Sequence, residues 1–434
     1  MIKGLSTSHI KEISRIKGED ASILDFRLKS YENFKKLDNP SFGVDIDLNF
    51  DDIIYYKEGE GGISSSWDNI NKDVYCEYQD LGVIESEKKM DGMGVQHDSE
   101  MIYHNMLKEA EDKGVIFTSI EEGLKKYKDI ALKYFSKIVS NNENKYAALN
   151  SAVFSGGSFI YVPKNVHLDR PLQSYFRISS QDMGQFERTL IIVDEGASLH
   201  YIEGCTAPVY SSSSLHAAVV EIYVGKGASC RYSTIQNWAP NIYNLVTKRA
   251  LVEEDASMTW VDGNIGSFKT MKYPGSVLKG DNATGTCITI STAKDNQHQD
   301  SGANMIHIGK NTKSRIISKS IAKGSGKANY RGKVKILESA TNASSFVKCD
   351  SLILDDYAES SAYPDNEVYN NSSILEHEAV VERISKEKLY YLETRGFTKE
   401  EAEELIIMGF IDTFRNELPL EYSVELTALL KDYF

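Results

Sequence analysis

The sequence predicts a mainly β protein, with a β-solenoid core set between helical N-terminal and C-terminal regions. Three observations carry this. From about Ala148 to Ile384 the chain offers short β-branched and aromatic runs separated by turns, among them Phe159-Ile-Tyr-Val162, Leu190-Ile-Ile-Val193, Ala218-Val-Val-Glu-Ile-Tyr-Val224 and Leu245-Val-Thr247. A turn signature, acidic, glycine, lysine or polar residues before a small one, recurs at Ala197, Ala228, Ala256, Ala283, Thr312 and Ala340, at intervals of 27 to 31 residues. No long helical pattern interrupts the stretch. A near-constant period without helices between strands marks a solenoid, in which each coil buries its inner face only against its neighbours. A large β-sandwich is the competing architecture, since turn-rich strands at half that spacing would also suit it.

In chain order, residues 1–147 read as a mixed, mainly helical N-terminal domain. Asp20 or Ser22 caps a helix whose apolar stripe holds Ile23, Leu24, Phe26, Leu28, Tyr31 and Phe34. From Ile53 to about Gly94 the pattern is irregular, and its glycines (Gly59, Gly61, Gly62) match neither Rossmann nor P-loop spacing. Helices are expected again over Ser99–Lys113, after the capping-box spacing Ser119-x-x-Glu122, and over Ile130–Val139. The β core spans 148–384. Residues 385–434 form a C-terminal helical domain: Lys386–Thr394 closing on Gly396, then Thr398-x-x-Glu401 opening a segment with Leu405, Ile406 and Phe410. Pro419 starts a last helix carrying Tyr422, Val424, Leu426, Leu429 and Leu430. So few residues build little core alone, so they are expected to dock on the solenoid end and keep an apolar face for a partner.

Composition narrows the function. The 434 residues are 41% hydrophobic and 26% charged, with a formal charge of -14, which argues against a nucleic-acid backbone as partner. No apolar run is long enough to span a membrane, and the N-terminus lacks the h-region of a secretory signal, so a cytoplasmic location is expected. Cys76, Cys205, Cys230, Cys287 and Cys349 are an odd, scattered set. That is a poor disulfide framework and fits a reducing compartment. No C-x-x-C occurs, so a metal site must be assembled from distant segments or shared with another chain. Nor is there a Gly-x-x-x-x-Gly-Lys-Ser/Thr, so no nucleotide site of its own is expected.

The richest stretch for chemistry is Phe346 to Ile384, where Cys349 precedes Glu376-His377-Glu378. Thiolate, imidazole and carboxylate suit iron or an iron–sulfur cluster. The bland alternatives are a buried small hydrophobe for the cysteine and a solvated strand end for the triplet. In a regular strand Glu376 and Glu378 share one face and His377 takes the other. The expected metal ligands are therefore Cys349 with His377 or Glu378, completed from a neighbouring subunit.

Several segments carry a family resemblance: Asn144-Lys-Tyr-Ala-Ala-Leu-Asn-Ser-Ala-Val-Phe-Ser-Gly-Gly-Ser-Phe-Ile-Tyr-Val-Pro163, Met183 to Gly196, Glu203-Gly-Cys205-Thr-Ala-Pro208, Tyr232-Ser-Thr-Ile-Gln236-Asn-Trp238, Tyr243 to Arg249, Gln297-His-Gln-Asp300, Ile317-Ser-Lys-Ser320 and Glu417 to Tyr422. They are similar to the SufB/SufD family of iron–sulfur cluster assembly proteins, and Cys349 with Glu376, His377 and Glu378 resembles the SufB branch. The resemblance implies a right-handed parallel β-helix. It also implies a scaffold role in the SUF system, building a transient cluster, [4Fe-4S] or [2Fe-2S], from iron and persulfide sulfur supplied by a cysteine desulfurase system. Implied partners are a SufC-type ABC ATPase on the C-terminal helices, and SufD or a second copy of the chain.

By the same resemblance Cys205 is the thiol that first receives sulfur, and Arg177, Glu203, Gln236, Trp238 and Lys248 line an interior route from it. Cys349 is the cluster-site thiol, with Glu376, His377 and Glu378 nearby. The amino-terminal cysteine motif of some longer members is missing, so no second cluster site is expected there. Residue by residue, Lys248 and Arg177 suit a role in lowering a thiol pKa or a plain salt bridge, and Trp238 suits core filling. Cys230 and Cys287 lie in apolar strand contexts and are expected to be inert. Two other readings stay open: a structural adaptor of the SufD type, and a β-solenoid carbohydrate-active enzyme using paired carboxylates.

Overall fold

The computed structural model describes residues 1–59, 62–208, 213–416 and, in the tail, 423, 426, 427 and 429–431. From Ser158 to Arg383 successive strands alternate between two sheets and pair with one another only in parallel. The first sheet stacks eight rungs: Leu172–Arg177, Ser198–Thr206, Ser229–Trp238, Ser257–Gly266, Thr284–Lys294, Lys313–Lys323, Ser344–Ile353 and Ile374–Arg383. The second stacks Ser158–Val162, Arg188–Val193, Val219–Val224, Ile242–Val252, His298–His307, Lys327–Ile336 and Ala362–Val368, with Lys269–Lys272 and Gly275–Leu278 forming one broken rung. This is the predicted parallel solenoid, and it excludes the sandwich.

The recurring signature is the corner between the sheets. Gly196, Gly227, Asp255, Asn282, Asn311 and Asn342 all sit at positive φ, a region open to glycine and tolerated by asparagine and aspartate. Each is followed by a small buried residue that lets the corners stack: Ala197, Ala228, Ala256, Ala283, Thr312 and Ala343. The sixth member is therefore Ala343, not Ala340. His307 pairs with Ile336 but Lys313 with Ser344, so this corner is two residues longer than the one before it.

Where the N-terminal pattern is strong and local it holds. Helices Thr7–Ile16 and Ala21–Lys36 form, the second capped by Asp20, and Ser119 caps Ile120–Lys126. The stretch from Ile53 to about Gly94, expected to be irregular, contains helices Lys72–Asp80 and Val83–Glu87. The helix expected over Ser99–Lys113 is mostly strand, Glu100–Met106, with only Lys108–Asp112 helical. That strand forms a hairpin with Gly92–His97, which extends the first sheet beyond Leu172–Arg177. Sheet pairing overrides local propensity here. Helix Lys145–Val153, within which the expected boundary at 147/148 falls, is buried from Tyr146 onward. Its Asn150 amide donates to the carbonyls of Phe186, Glu187 and Ala217 at 2.9–3.1 Å, tying the helix to three strand ends.

The C-terminal helices Lys386–Thr394 and Lys399–Arg415 form as read, including the Thr398–Glu401 capping box. They do not dock on the solenoid end. Ile407, Ile411 and Phe414, with Leu426 and Leu430, lie on the outer face of the first sheet against Ile235, Val261, Ile288, Ile290 and Ile317. A sheet with β-branched residues on both faces needs a cover on each, and these helices supply the outer one. Tyr390, Tyr391, Phe397 and Leu405 remain exposed. Pro419, Tyr422 and Val424 lie outside the described residues. Among the described residues no helix is long and apolar enough to cross a membrane.

Candidate functional site

Side chains along each rung alternate between the outer face and the interior. Counting from the corner residue, the inward position six residues on is Glu203, Thr234, Asp262, Thr289, Ser318 and Cys349 on successive rungs. Eight residues on it is Cys205, Gln236, Asn264, Ser291, Ser320 and Ser351. Strand register stacks each set in line, and every member is buried. Two columns of polar side chains thus run inside the solenoid from Cys205 to Cys349, five rungs or about 24 Å. Beside them the interior is apolar, from Ile191 and Val220 to Val334 and Val347.

At the Cys205 end the lane is strongly charged. Cys205 is fully buried, its sulfur 3.8 Å from a Glu203 carboxylate oxygen and 3.9 Å from the Gln236 amide nitrogen. Burial, and then Glu203 and Glu187, push its thiol pKa far up, against the pull of Lys248 and Lys272. Glu203 also accepts from the Tyr232 hydroxyl. Lys248 lies 3.6 Å from both Glu203 and Asp262, and its ammonium makes no hydrogen bond among the described residues. Burial works to lower its pKa, but those two carboxylates outweigh it and the net shift is upward. Lys272 is 2.8 Å from Asp262; burial brings its pKa down to about 8 despite that carboxylate. His216 pairs with Glu187, stacks near the Trp238 ring and lies 2.7 Å from the Asn244 amide oxygen.

Arg177 needs a different placement from the one expected. It follows Phe176, the residue in register with Cys205, and so points to the other face. There it pairs with Glu77 and donates to Thr206 at 3.0 Å. With Thr206, Pro208, Trp238 and Gln297 it lines a surface cleft of about 670 Å³ next to the Cys205 rung. Trp238 is buried between that cleft and the interior, and its indole N–H has no partner among the described residues.

At the far end Cys349 lies 3.4 Å from His377 Nε2 and 3.5 Å from the Glu378 backbone carbonyl. Burial, then Asp350, raises its thiol to about 11. The carboxylates of Glu376 and Glu378 are not part of this pair. Their positions match Phe346 and Lys348 on the outer face, where Glu378 meets Lys348 at 3.6 Å. Among the described residues no three His, Cys, Asp or Glu side chains converge on one point. Cys349 and His377 are thus two donors on the last two rungs of the stack. Just beyond Cys349 both sheets end among the described residues, at Ile374–Arg383 and Ala362–Val368, with Tyr363, Val368, Ile374, Val380 and Val381 exposed.

Sequence reasoning missed Glu187, His216, Asn244, Asp262, Asn264 and Lys272, all buried and all in the lane or its wall. For Asp262 and Asn264 the offsets of six and eight from the corner mark an inward position, though not its role; Glu187, His216, Asn244 and Lys272 come from the second sheet or its approach and carry no such mark. Phased on Ala340, the last repeat puts Phe346 and Lys348 at those offsets; phased on Ala343, it puts Cys349 and Ser351 there.

Residues 176–410 match the SUF system FeS cluster assembly SufBD core domain, and 89–174 match the SufBD protein N-terminal region. The chain is 52% identical over 431 residues to the iron–sulfur cluster assembly protein SufB of Bacillus subtilis (strain 168), covering 99% of this chain and 93% of that one. It is 54% identical, with the same coverage, to an iron–sulfur cluster assembly SufBD family protein of Staphylococcus aureus (strain MRSA252). With a solenoid of this build and a match along nearly its whole length, the chain belongs to the SufBD family of the SUF iron–sulfur cluster assembly system.

Proposed function

We propose that this chain is a scaffold that accepts sulfur at Cys205, passes it along the solenoid interior and combines it with iron at Cys349. The observation that carries this reading is the double polar lane that joins the two thiols inside the solenoid. In the first step the Cys205 thiol gives its proton to Glu203. The thiolate attacks the outer sulfur of a donor persulfide, R–S–SH. One S–S bond forms as the donor's breaks, leaving Cys205–S–SH and the donor thiolate, with no net oxidation. The Arg177–Trp238 cleft is the approach for a donor from a cysteine desulfurase system. Reducing the transferred sulfur to sulfide consumes an electron pair from an external donor.

Iron is cargo here, bound by Cys349 and His377 with further ligands from SufD or a second copy of the chain, which pairs with the open end of the stack. Cluster building then requires movement, because Cys349 is buried and protonated at rest; a SufC-type ABC ATPase seated on the C-terminal helices supplies it. The test is anaerobic reconstitution of the purified chain with iron and a persulfide donor, read by visible absorbance and Mössbauer spectra. Cys205→Ser should lose sulfur retention, and Cys349→Ser with His377→Ala should lose the cluster. A parental yield from the double variant refutes the site. A yield unaffected by Cys205→Ser favours a SufD-type adaptor role.

A further inference from the structure

We propose that Lys272 is a positioning residue for Cys205, acting through the side-chain amide of Gln236; this rests on Cys205 being the sulfur acceptor. A glutamine amide offers an acceptor at one end and donors at the other, so its neighbours decide which end faces a third group. A lysine ammonium only donates. Lys272 Nζ lies 2.9 Å from Gln236 Oε1, 3.0 Å from Asn264 Oδ1 and 2.8 Å from Asp262 Oδ1, so its three N–H groups are all used. Gln236 Oε1 must therefore face Lys272, which leaves Nε2 toward the Cys205 sulfur at 3.9 Å.

The setting propagates. Asn244 Nδ2 donates to the same Gln236 oxygen at 2.9 Å, so Asn244 turns its own oxygen to His216 Nδ1 at 2.7 Å. One donor-only group fixes a chain of amides, and the sulfur meets an N–H rather than a carbonyl lone pair. That favours the thiolate, and equally the persulfide anion, over the neutral thiol. Lys248 does not share this work, since among the described residues its ammonium donates to no amide.

The test measures Cys205 in the full-length chain by two readouts across a pH series. One is the rate of alkylation by iodoacetamide, and the other is sulfur gained from inorganic polysulfide, both located by peptide mass spectrometry. The other titratable groups around the thiol, Glu187, Tyr201, Glu203, Tyr232, Lys248 and Asp262, are retained in the single variants. Lys272→Met should slow both reactions about tenfold at neutral pH, the scale of one hydrogen bond to a charged group. It should also move the alkylation midpoint upward. Lys272→Arg, also donor-only, should restore the midpoint.

Lys272→Met leaves Asp262 only the Lys248 contact at 3.6 Å and the Asn264 amide, so the neutral pair Lys272→Met/Asp262→Asn, expected to slow as Lys272→Met does, and the separate Gln236→Glu are measured alongside. Gln236→Glu keeps Lys272 but turns an acceptor toward sulfur, and should raise the midpoint too. Unchanged rate and midpoint in Lys272→Met, or in Gln236→Glu where the lysine variants do not fold, overturn the inference. Failure of the parental chain to gain sulfur at Cys205 instead overturns the acceptor role itself.

Discussion

His307 is a buried histidine that folding keeps neutral. Its ring lies 2.8 Å from the hydroxyls of both Thr312 and Ser314, and burial holds its pKa down to about 4. Below about pH 6.5 the unfolded chain takes up a proton that the folded chain refuses, so its contribution is complete above that pH and is lost as pH falls toward 4. His307→Gln should cost stability at pH 7 yet flatten the acid slope, by about 2 kcal/mol between pH 7 and 4.5. Urea unfolding at the two pH values reads it, and an unchanged slope rejects it. At this scale the sequence was only partly legible. Cys205, Glu203 and Gln236 could be picked by resemblance, because they lie within short recognisable runs. Lys272 and Asp262 could not, since what makes them matter is a register between strands, and register is not written in any single strand.

Elements whose signals are local were readable: the corner residues, the Thr398–Glu401 box, the Asp20 cap. Docking was not, because it depends on which sheet face is left uncovered. Phe414 shows the reason. Its ring reaches Gly263 on the outer face, where a side chain would stand 3.6 Å from its tip. Phe414→Ala should cost about 3 kcal/mol of docking energy. Hydrogen exchange in 399–415 should quicken about a hundredfold while the solenoid rungs keep their protection; uniform change across the chain would reject a local role. The same geometry warns against testing the proposed ATPase contact by truncation, which would bare the isoleucine row. Tyr390→Ala with Tyr391→Ala is the better variant: Tyr390 is 69% exposed, so the fold is untouched. Co-purification with the ATPase should be lost, and retained binding would move the contact elsewhere.

Seen whole, the molecule is capped at one end and open at the other. Strand Ile116–Ser119 and the Gly92–Met106 hairpin extend the two sheets at the start of the stack, whereas Ala362–Val368 and Ile374–Arg383 each present a strand edge unpaired among the described residues. Bare edges of this length invite pairing with another chain. The proposed ligand pair, Cys349 and His377, sits on the last two rungs, so the proposed partner would both cover the edge and complete the proposed metal site. The two roles make a joint prediction. Val380→Lys with Val381→Lys puts charge on the edge strand and leaves Cys349 and His377 in place. Light scattering should then show loss of the dimer or heterodimer, and iron uptake should fall in proportion. Monomers that still take up iron at the parental yield would mean that one chain supplies every ligand, and the shared site would have to be abandoned.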